Sequence, residues 1–273
     1  MQKLLSIVTV TYNAEEYLHN CVKSIQMLKE KYGSLIEYII IDGKSTDKTI
    51  SIISNYYSLG VVDFYISESD NGIYDAMNKG IEHCSGEYVL IIGSDDFLLP
   101  QNFGDIIKCL STEHPDICYG NVLVIGRTGD RIIRIYKAGS YKKWKTMLGW
   151  HPPHSGTIVR KSLLEQNKFN EKYKISADVE VEWKTLASSS IVIYKDVFLS
   201  VCRIGGASSK NVKEILEANR EVYDIAKSLG YKFPILTVPM KLSWKLTQVI
   251  RAKFTNKKKF MSQIEYIKIN KKK

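Results

Sequence analysis

The sequence contains no stretch of about twenty predominantly apolar residues, which is the length that a helix needs to cross a bilayer. Its N-terminus also lacks the basic segment, the long apolar segment and the cleavage site of a secretory leader. The five cysteines are odd in number and include no C-x-x-C pair, which fits reduced thiols. We therefore expect a cytoplasmic protein without a transmembrane helix.

The composition and the missing motifs exclude several other classes of protein. Apolar residues make up 44% of the chain and charged residues 25%, so disordered, collagen-like and disulfide-scaffold proteins are excluded. Neither a G-x-G-x-x-G dinucleotide fingerprint nor a P-loop follows any strand-like segment. A chain of 273 residues is long enough for one large α/β domain, or for one domain with an appendage.

Positive charge is concentrated at one end of the chain. Residues 208–273 contain sixteen Lys and Arg but five Asp and Glu, whereas the rest of the chain is close to neutral. A nearly neutral body with a cationic extension indicates an anionic surface as partner, either a membrane or a nucleic acid.

Strand-like apolar runs alternate with helical patterns over the first hundred residues. Strands are predicted at 4–10, 36–41, 61–66 and 87–92, and helices at 14–31, 46–57 and 73–84. Such an alternation predicts a mostly parallel sheet.

The pattern changes after residue 96. The runs 117–125 and 131–136 flank a turn-forming segment and predict a β-hairpin, and further elements follow at 157–160, 176–187 and 197–203. We therefore expect an α/β first half (1–100), a second half of α+β character (101–207) and a helical, basic extension (208–273).

The extension contains an amphipathic pattern after Thr237 and Pro239, which mark a helix start. Its apolar face consists of Leu242, Leu246, Val249 and Ile250, and its polar, cationic face of Lys241, Lys245, Gln248 and Arg251. Such a helix can lie in a membrane interface, or it can pack on the body or on a second subunit. The lysine clusters at 257–259 and 271–273 add to the positive charge.

Two adjacent carboxylates, Asp95 and Asp96, follow directly after the fourth predicted strand. Ligands of open α/β sheets collect outside the carboxyl ends of the strands, so this acid pair should lie where substrate binds. Neighbouring carboxylates repel each other and are costly to remove from water. A divalent cation that carries a phosphorylated substrate would offset this cost.

Polar residues also follow the first two predicted strands. Thr9, Tyr12 and Asn13 could hold a nucleobase by backbone contacts and stacking, although a tyrosine at this place is often part of the core or its rim. Asp42 ends the second strand, where an acid in a nucleotide-binding fold accepts hydrogen bonds from ribose or base. Helix capping is the alternative, and it suits Asp47 better.

The segment 70–80 opens the third predicted helix with short polar residues and a glycine. Asn71 and Gly72 lie where backbone N–H groups attract an anion, and Lys79 is a suitable charge opposite a diphosphate. Asp70 could equally be a simple helix cap.

Taken in order, the segments 9–13, 42–49, 70–80 and 94–96 resemble those of family 2 glycosyltransferases with the GT-A fold. The segment 70–80 is most similar to bacterial polysaccharide and O-antigen transferases. The resemblance covers residues 1–210 and implies an α/β GT-A fold, with a Rossmann-like nucleotide-binding half and an acceptor-binding half.

The resemblance implies a nucleotide-sugar site and a divalent metal. Tyr12 and Asp42 would hold the base, which is expected to be uracil, Asp95 would face the ribose, and Asp96 would ligate Mg²⁺ or Mn²⁺. Ser94 stands where many relatives have a third acid, which argues against a dedicated high-affinity metal site. The expected nucleotide-sugar contacts are Thr9, Tyr12, Asn13, Asp42, Asn71, Gly72, Lys79 and Asp95.

The same resemblance implies a catalytic base and an inverting reaction. Asp178 matches the family position at the start of a helix, with Ala177 in place of the usual glutamate, while Glu180 or Glu182 is a second candidate base. A helix N-terminus favours an acid in any case. His154 and Trp150 resemble residues near the sugar or the acceptor, although a structural histidine and a core tryptophan are the alternatives.

The predicted function is transfer of a sugar from a UDP-sugar to a saccharide acceptor, expected to be lipid-linked, at the inner face of the cell membrane. A nucleotidyltransferase is one alternative, but the glycine-rich Arg/Lys loop that such enzymes carry after the first strand is absent. A nucleic-acid-binding module is another, and it leaves the acid pair unexplained. We therefore expect no nucleic-acid partner, and the sequence leaves a homo-oligomer open.

Overall fold

The structure is a computed structural model that describes residues 3–129, 131–205 and 212–255. Its strands are β1 Leu5–Thr11, β2 Ile36–Asp42, β3 Phe64–Ser67, β4 Tyr88–Gly93, β5 Phe97–Leu98, β6 Ile117–Ile125, β7 Ile132–Tyr136, β8 Thr157–Arg160 and β9 Val192–Arg203. Its helices are α1 Leu18–Tyr32, α2 Thr49–Ser58, α3 Ile73–His83, α4 Gly104–Thr112, α5 Lys143–Thr146, α6 Lys161–Gln166, α7 Ala177–Ser188, α8 Val212–Ser228 and α9 Pro234–Phe254.

In the described residues the strands form one mixed sheet with the order β3-β2-β1-β4-β8-β6-β9-β5, and β7 pairs with β6. The first four strands of the chain are parallel, as predicted. Their register places Thr11 opposite Asp42 and Val10 opposite Gly93. The carboxyl ends of β1, β2 and β4 therefore meet at one edge of the sheet.

Helices cover both faces of the parallel half, because its strands are apolar on both sides. On one face α1 buries an i, i+4 and i+7 series from Leu18 against β1 and β2. On the other face α3 packs Tyr74, Met77 and Ile81 against the same strands. Gly80 lets α3 approach β1 closely, since a Cβ atom at this position would collide with Val8.

The second half of the sheet turns around β6. The predicted hairpin is confirmed, because β6 and β7 are antiparallel neighbours. Strand β8 lies antiparallel between β4 and β6 and thereby joins the two halves into one sheet. Strand β9 begins at Val192, five residues before the predicted start, because Val192, Ile193 and Tyr194 pair with β6 ahead of a register shift. The charged Lys195 and Asp196 obscure this continuation in the sequence.

Other predicted boundaries also differ from the structure, among them the start of the second helix, which is Thr49 and not residue 46. The third strand begins at Phe64, not at residue 61, because the N–H groups of Val61 and Val62 bond to the Tyr56 carbonyl and hold the chain in a loop. The first helix begins at Leu18, not at residue 14, since Ala14 starts a turn in which its carbonyl accepts from Tyr17 and Leu18.

The C-terminal helices pack on the body. Helix α8 buries Val222, Ile225 and Ala226 in the core on the α3 side of the sheet, and α9 contacts β7 and α8. Gly149, whose φ is +77°, lets the loop before β8 lie against Thr237, where a Cβ atom would collide with the Thr237 carbonyl. One face of α9 therefore packs on the body, which was one of the predicted alternatives.

Helix α9 begins at Pro234, so the predicted start at Thr237 and Pro239 is wrong. Pro234 supplies the fixed φ and missing N–H that suit the first helical turn, and the exposed Pro239 then costs one hydrogen bond. In the described parts of the chain no helix is both long and apolar enough to span a membrane. The lysine clusters at 257–259 and 271–273 lie outside the described residues.

Helix α9 buries some polar side chains against the body and exposes a row of large apolar ones. Gln248 is 6% exposed and lies against the body, and Lys241 on the same face is half-buried. The apolar side chains that point outward, called the α9 stripe below, are Leu242 (46% exposed), Leu246 (59%), Ile250 (45%) and Phe254 (87%). A row of large apolar side chains exposed on the outer face indicates an apolar partner for that face.

Candidate active site

The acid pair lies at the sheet edge that the strand register creates. Asp96 is half-buried, and its Oδ1 accepts the backbone N–H of Arg203 at 2.9 Å. Removal from water, together with the charge of Asp95, raises the pKa of Asp96 to about 8. Burial also raises the pKa of Asp95, against the opposing charges of Arg203 and Arg127.

Arg203 is a site residue that the sequence reasoning missed. Its guanidinium carbon lies 5.0 Å from the ring centroid of Tyr17 and 5.9 Å from that of Phe97. These rings hold the cation where its charge acts on Asp95 and Asp96. No local motif marks Arg203, because it ends a strand that meets the acid pair only in the folded sheet.

The loops after β1 and β2 are fastened to each other. The backbone N–H of Asn13 donates to Ser45 Oγ at 2.8 Å, and Asn13 Oδ1 accepts the Thr46 N–H at 2.9 Å. Asn13 has a φ of 47°, a conformation that asparagine tolerates. Tyr12 stays 63% exposed beside this junction, so its ring is available for stacking.

Asp42 is fully buried and organises its own loop. Its carboxylate accepts the Ser45 N–H at 2.9 Å, the Ser45 hydroxyl at 2.5 Å and the Ser67 hydroxyl at 2.7 Å. Contact between Asp42 and a nucleobase stays a prediction, because the carboxylate is fully buried and already accepts these three hydrogen bonds.

The structure corrects two of the predicted ligand contacts. Thr9 is fully buried in the middle of β1, where its hydroxyl accepts from Tyr38 at 3.2 Å, so it belongs to the core. Trp150 is 4% exposed, and its Nε1–H donates to the Ala138 carbonyl at 3.2 Å. Trp150 therefore offers no face to a sugar, and the alternative of a core tryptophan is correct.

The N-terminus of α3 lies next to the loop after β2. Gly72 has a φ of 124°, and its N–H donates to Asp70 Oδ1 at 3.0 Å. A Cβ atom on Gly43 would lie 2.5 Å from Asp70 Oδ2, so the two segments touch. Asn71 is exposed at this junction, and its backbone N–H donates to Asp75 Oδ2 at 2.9 Å.

Lys79, the predicted partner of a diphosphate, is already paired. Its Nζ lies 2.8 Å from Glu68 Oε1 and 3.3 Å from Asp75 Oδ2. These carboxylates raise the pKa of Lys79, so its charge is retained. A role opposite a diphosphate stays a prediction, and it involves breaking these surface ion pairs.

Asp178, the predicted base, lies in the first turn of α7. It is half-buried, and its Oδ1 accepts the Tyr74 hydroxyl from α3 at 3.3 Å. This contact joins the two halves of the sheet across the site. Glu180 is turned inward at 4% exposure, and its Oε1 pairs with Lys184 at 2.8 Å, which leaves Asp178 as the more accessible acid.

Two histidines flank a buried glutamate beside Asp178. Glu182 Oε2 lies 2.7 Å from His151 Nδ1, and Glu182 Oε1 lies 3.5 Å from His154 Nδ1. Burial opposes the charged form of all three, but their mutual attraction prevails: the pKa of Glu182 is lowered and the pKa of each histidine is raised. The sequence reasoning named Glu182 only as a fallback base and missed this ion cluster.

His154 connects the two acidic parts of the site. The charges of Asp178 and Asp96 both help to raise the pKa of His154, so its ring lies within electrostatic reach of both. Its Nε2 is buried without a hydrogen-bond partner among the described residues. A buried nitrogen of this kind, between an acid pair and a candidate base, is suited to a polar ligand group.

The extension also contributes to the site. Glu221 of α8 accepts the backbone N–H groups of Lys174, Ile175 and Ser176 at 2.8, 3.0 and 2.8 Å, just before α7. Lys241 of α9 experiences the charges of Asp178, Glu182 and Glu221, while burial lowers its pKa. Sequence reasoning missed both residues, because neither lies in a recognisable motif.

The fit of a divalent metal rests on the acid pair. Within the described ranges no cluster of three or more His, Cys, Asp or Glu side chains could hold a metal ion. Asp95 and Asp96 supply hard oxygen ligands, and their raised pKa values indicate a deficit of positive charge that a cation would relieve. A metal here would complete its coordination with ligand phosphates and water, so the residues fit such an ion.

Comparison with protein families identifies the group to which the chain belongs. Residues 6–172 match the model of glycosyl transferase family 2. The chain belongs to glycosyl transferase family 2. This membership confirms the resemblance seen in the sequence, and it makes this transferase an enzyme that moves sugars.

Curated relatives extend over most of the transferase. It is 27% identical over 221 residues to the PGL/p-HBAD biosynthesis glycosyltransferase of Mycobacterium bovis, which covers 78% of this chain and 83% of the relative. It is 23% identical over 253 residues to glycosyltransferase GlyA of Streptococcus pneumoniae, which covers 83% of this chain and 35% of that protein.

Solved structures confirm the predicted GT-A fold of the transferase. S. aureus TarS 1–349 superposes with a TM-score of 0.62 at 17% identity, covering 94% of this chain and 77% of TarS 1–349. The mannosyltransferase PcManGT of Pyrobaculum calidifontis, solved with GDP-Man and Mn²⁺, superposes with a TM-score of 0.60 at 13% identity, covering 99% of this chain and 82% of PcManGT.

Proposed function

We propose that this glycosyltransferase is metal-dependent and inverting, and that it moves a sugar from a UDP-sugar to a hydroxyl of a saccharide acceptor in cell-surface polysaccharide biosynthesis. The observation that carries the proposal is the position of His154 within electrostatic reach of both Asp96 and Asp178. The proposal places the sugar next to this histidine, between the diphosphate corner and the base.

The donor side of the proposal rests on the acid pair. Asp96, with Asp95 beside it, would hold Mg²⁺ or Mn²⁺, which neutralises charge on the leaving diphosphate. Arg203 and Arg127 add positive charge at the same corner. Tyr12 would stack on the base, since its ring is exposed. TarS, which shares this fold, has been solved with UDP and with UDP-GlcNAc, and this likeness supports a uridine donor for the enzyme.

The acceptor side of the proposal rests on Asp178. Its carboxylate takes the proton from the attacking hydroxyl as the new glycosidic bond forms and the bond to the diphosphate breaks. Attack from the face opposite the diphosphate inverts the anomeric carbon. Glu182 keeps His151 and His154 in place behind the reaction centre, and His154 Nε2 is free to donate to a sugar oxygen.

The α9 stripe supports a proposal about the location of the enzyme. Its apolar side chains point outward on an extension that carries sixteen Lys and Arg against five Asp and Glu. An apolar face surrounded by positive charge is complementary to an anionic membrane surface. We therefore propose that the enzyme docks on such a membrane and takes its acceptor, a lipid-linked saccharide, from it.

The test is a thermal-shift and UDP-release assay with UDP-glucose, UDP-galactose and UDP-GlcNAc in the presence of Mn²⁺. We expect at least one donor to raise the melting temperature, because it binds the folded enzyme only. Asp178→Asn should keep this shift but slow UDP release by about a hundredfold or more. Asp105→Asn, an exposed acid in the first turn of α4, is the matched control. Unchanged UDP release in Asp178→Asn would exclude Asp178 as the base.

A further inference from the structure

A second cavity lies outside the acid pair and the candidate base. It has a volume of about 460 Å³ and opens between β7, α9 and the end of β9. Its lining residues are Arg127, Ile133, Arg134, Ile204, Gly205, Lys245 and Val249. The cavity is large enough for a small ligand group, and Arg127 is the one lining residue that also has a part in the proposed reaction.

Two of the three cations in this cavity, Arg134 and Lys245, have no carboxylate partner among the described residues, whereas Arg127 acts on Asp95. Burial lowers the pKa of Arg134, and burial together with the charges of Arg134 and Lys241 lowers the pKa of Lys245. Among the described residues, no carboxylate contributes to either shift. Within the described residues, the Arg134 guanidinium donates from Nη1 to the neutral amide of Gln248, whose Oε1 lies at 3.5 Å. Cations that repel each other in a partly buried site favour an anionic ligand.

The type of anion follows from the shape of the charged groups. Two arginines and a lysine match phosphate better than a single carboxylate, because a guanidinium binds two phosphate oxygens at once. Arg127 also acts electrostatically on Asp95, so the cavity lies beside the diphosphate corner of the active site. A ligand in the cavity is therefore placed next to the reacting sugar.

The remaining wall of the cavity is apolar. Ile133, Ile204 and Val249 line it, and Val249 belongs to the helix whose outer face carries the α9 stripe. An inorganic anion gains nothing from such a wall, whereas a phosphate that carries an apolar chain buries the chain there. The wall continues toward the surface that we propose to face the membrane.

We propose that this cavity binds a phosphate or diphosphate group attached to an apolar chain, and that it does so as the site for the lipid part of the acceptor. The assignment to the acceptor rests on the proposed function, but binding of the amphiphilic phosphate does not. Arg134 and Lys245 contact the phosphate oxygens, and the three apolar side chains contact the first carbons of the chain.

The experiment is calorimetric titration of the full chain with farnesyl diphosphate, inorganic diphosphate, farnesol and UDP. We expect farnesyl diphosphate to bind about tenfold more tightly than inorganic diphosphate or farnesol, because both parts of the ligand make contacts. Arg134→Gln should lower the affinity for farnesyl diphosphate about tenfold and leave the affinity for UDP unchanged, and so should Lys245→Gln, at an exposed position. Lys232→Gln, which removes a cation from the loop between α8 and α9, is the control and should change neither affinity.

Three results would overturn the proposal. Equal affinity for inorganic diphosphate and farnesyl diphosphate would show that the cavity does not bind the apolar chain. An equal loss of UDP affinity in Arg134→Gln and Lys245→Gln would assign the cavity to the donor. Lys245 is on the surface of a helix, so Lys245→Gln should fold normally. If this variant binds farnesyl diphosphate with unchanged affinity, the cavity is not the binding site. Failure of the proposed function would appear separately, as absent UDP release in a protein that still binds farnesyl diphosphate.

Discussion

Glu221 Oε2 accepts the backbone N–H of Ser176 at 2.8 Å, two residues before the candidate base Asp178. The same carboxylate also accepts the N–H groups of Lys174 and Ile175, so one acid from α8 satisfies three consecutive amides ahead of α7. The free N–H groups at a helix start are commonly satisfied by a side chain nearby in the sequence. Here it comes from a helix more than forty positions later in the chain, which makes the geometry of the base depend on the extension.

Glu221→Gln tests this dependence. A glutamine offers one acceptor oxygen in place of two, so at least one of the three amides, of which that of Ser176 is buried, loses its partner, at a cost of up to about 1–3 kcal/mol in the free energy of unfolding. We expect kcat for UDP release to fall while the affinity for donor is retained, because Asp178 shifts relative to the sugar. Urea unfolding and steady-state kinetics measure the two effects. The exposed Glu217→Gln, on the same helix, should change neither quantity.

The ion cluster of His151, Glu182 and His154 predicts a pH dependence of stability. The histidine pKa values are raised above 6.5, so their stabilising charge is present below about 6.5 and is lost as pH rises through the folded-state values. The Glu182 pKa is lowered below 4.5, so its contribution is present above about 4.5 and is lost as pH falls through the folded-state value. The cluster therefore stabilises most between these limits.

Glu182→Gln should accordingly lower the free energy of unfolding more near pH 5.5 than near pH 9, where the histidines are neutral in both proteins. Urea titrations at the two pH values give the comparison, with Glu165→Gln, at a surface ion pair, as the control. A loss of equal size at both pH values would show that hydrogen bonding, and not charge, holds the cluster together.

Asp96→Asn tests how much the buried charge of Asp96 lowers the free energy of unfolding. Because the pKa of Asp96 is raised from 3.8 to about 8, folding of the metal-free enzyme becomes less favourable as pH rises through this window. We expect Asp96→Asn to be more stable than the wild type without metal near pH 9, since the ionised form no longer has to be buried. Added Mn²⁺ should raise the melting temperature of the wild type but not of the variant. A variant that Mn²⁺ still stabilises would contradict metal binding at Asp96.

The α9 stripe predicts binding to anionic vesicles. Replacing both Leu246 and Ile250 by serine should weaken sedimentation with phosphatidylglycerol vesicles by about tenfold or more, because each side chain loses about 1.5–3 kcal/mol of burial. Both residues are about half exposed, so the fold should tolerate the change. Leu59→Ser, an exposed leucine after α2, is the control. If vesicle binding persists while a dimer dissociates, the stripe is an interface between two copies.

Much of the donor half could be predicted from the sequence, because its signals are local. Apolar runs mark the parallel strands, and the acids that follow them, Asp42 and Asp95, necessarily come to the same sheet edge. The direction of a side chain at a strand end is not a local property. Asp42 turns inward to Ser45 and Ser67, and Thr9 points into the core, which depends on neighbours in other strands.

The acceptor half was less accessible to such reasoning. Arg203 and Glu221 reach the site through long-range packing, and neither lies in a motif that a single sequence displays. The amphipathic pattern of α9 was visible, but not which face meets the body. The face that meets the body is set by contacts with other elements, such as that of Gln248 with Arg134 of β7. The pattern along one helix carries no information about these contacts.

The burial of α8 in the main core limits how this enzyme can be divided. Val222, Ile225 and Ala226 share that core with Trp183 of α7. A gene fragment cut at residue 207 would expose these contacts to water and leave three amides before Asp178 unpaired. Chimaeras that exchange extensions between related transferases would therefore change the position of the candidate base Asp178 as well as the proposed docking surface.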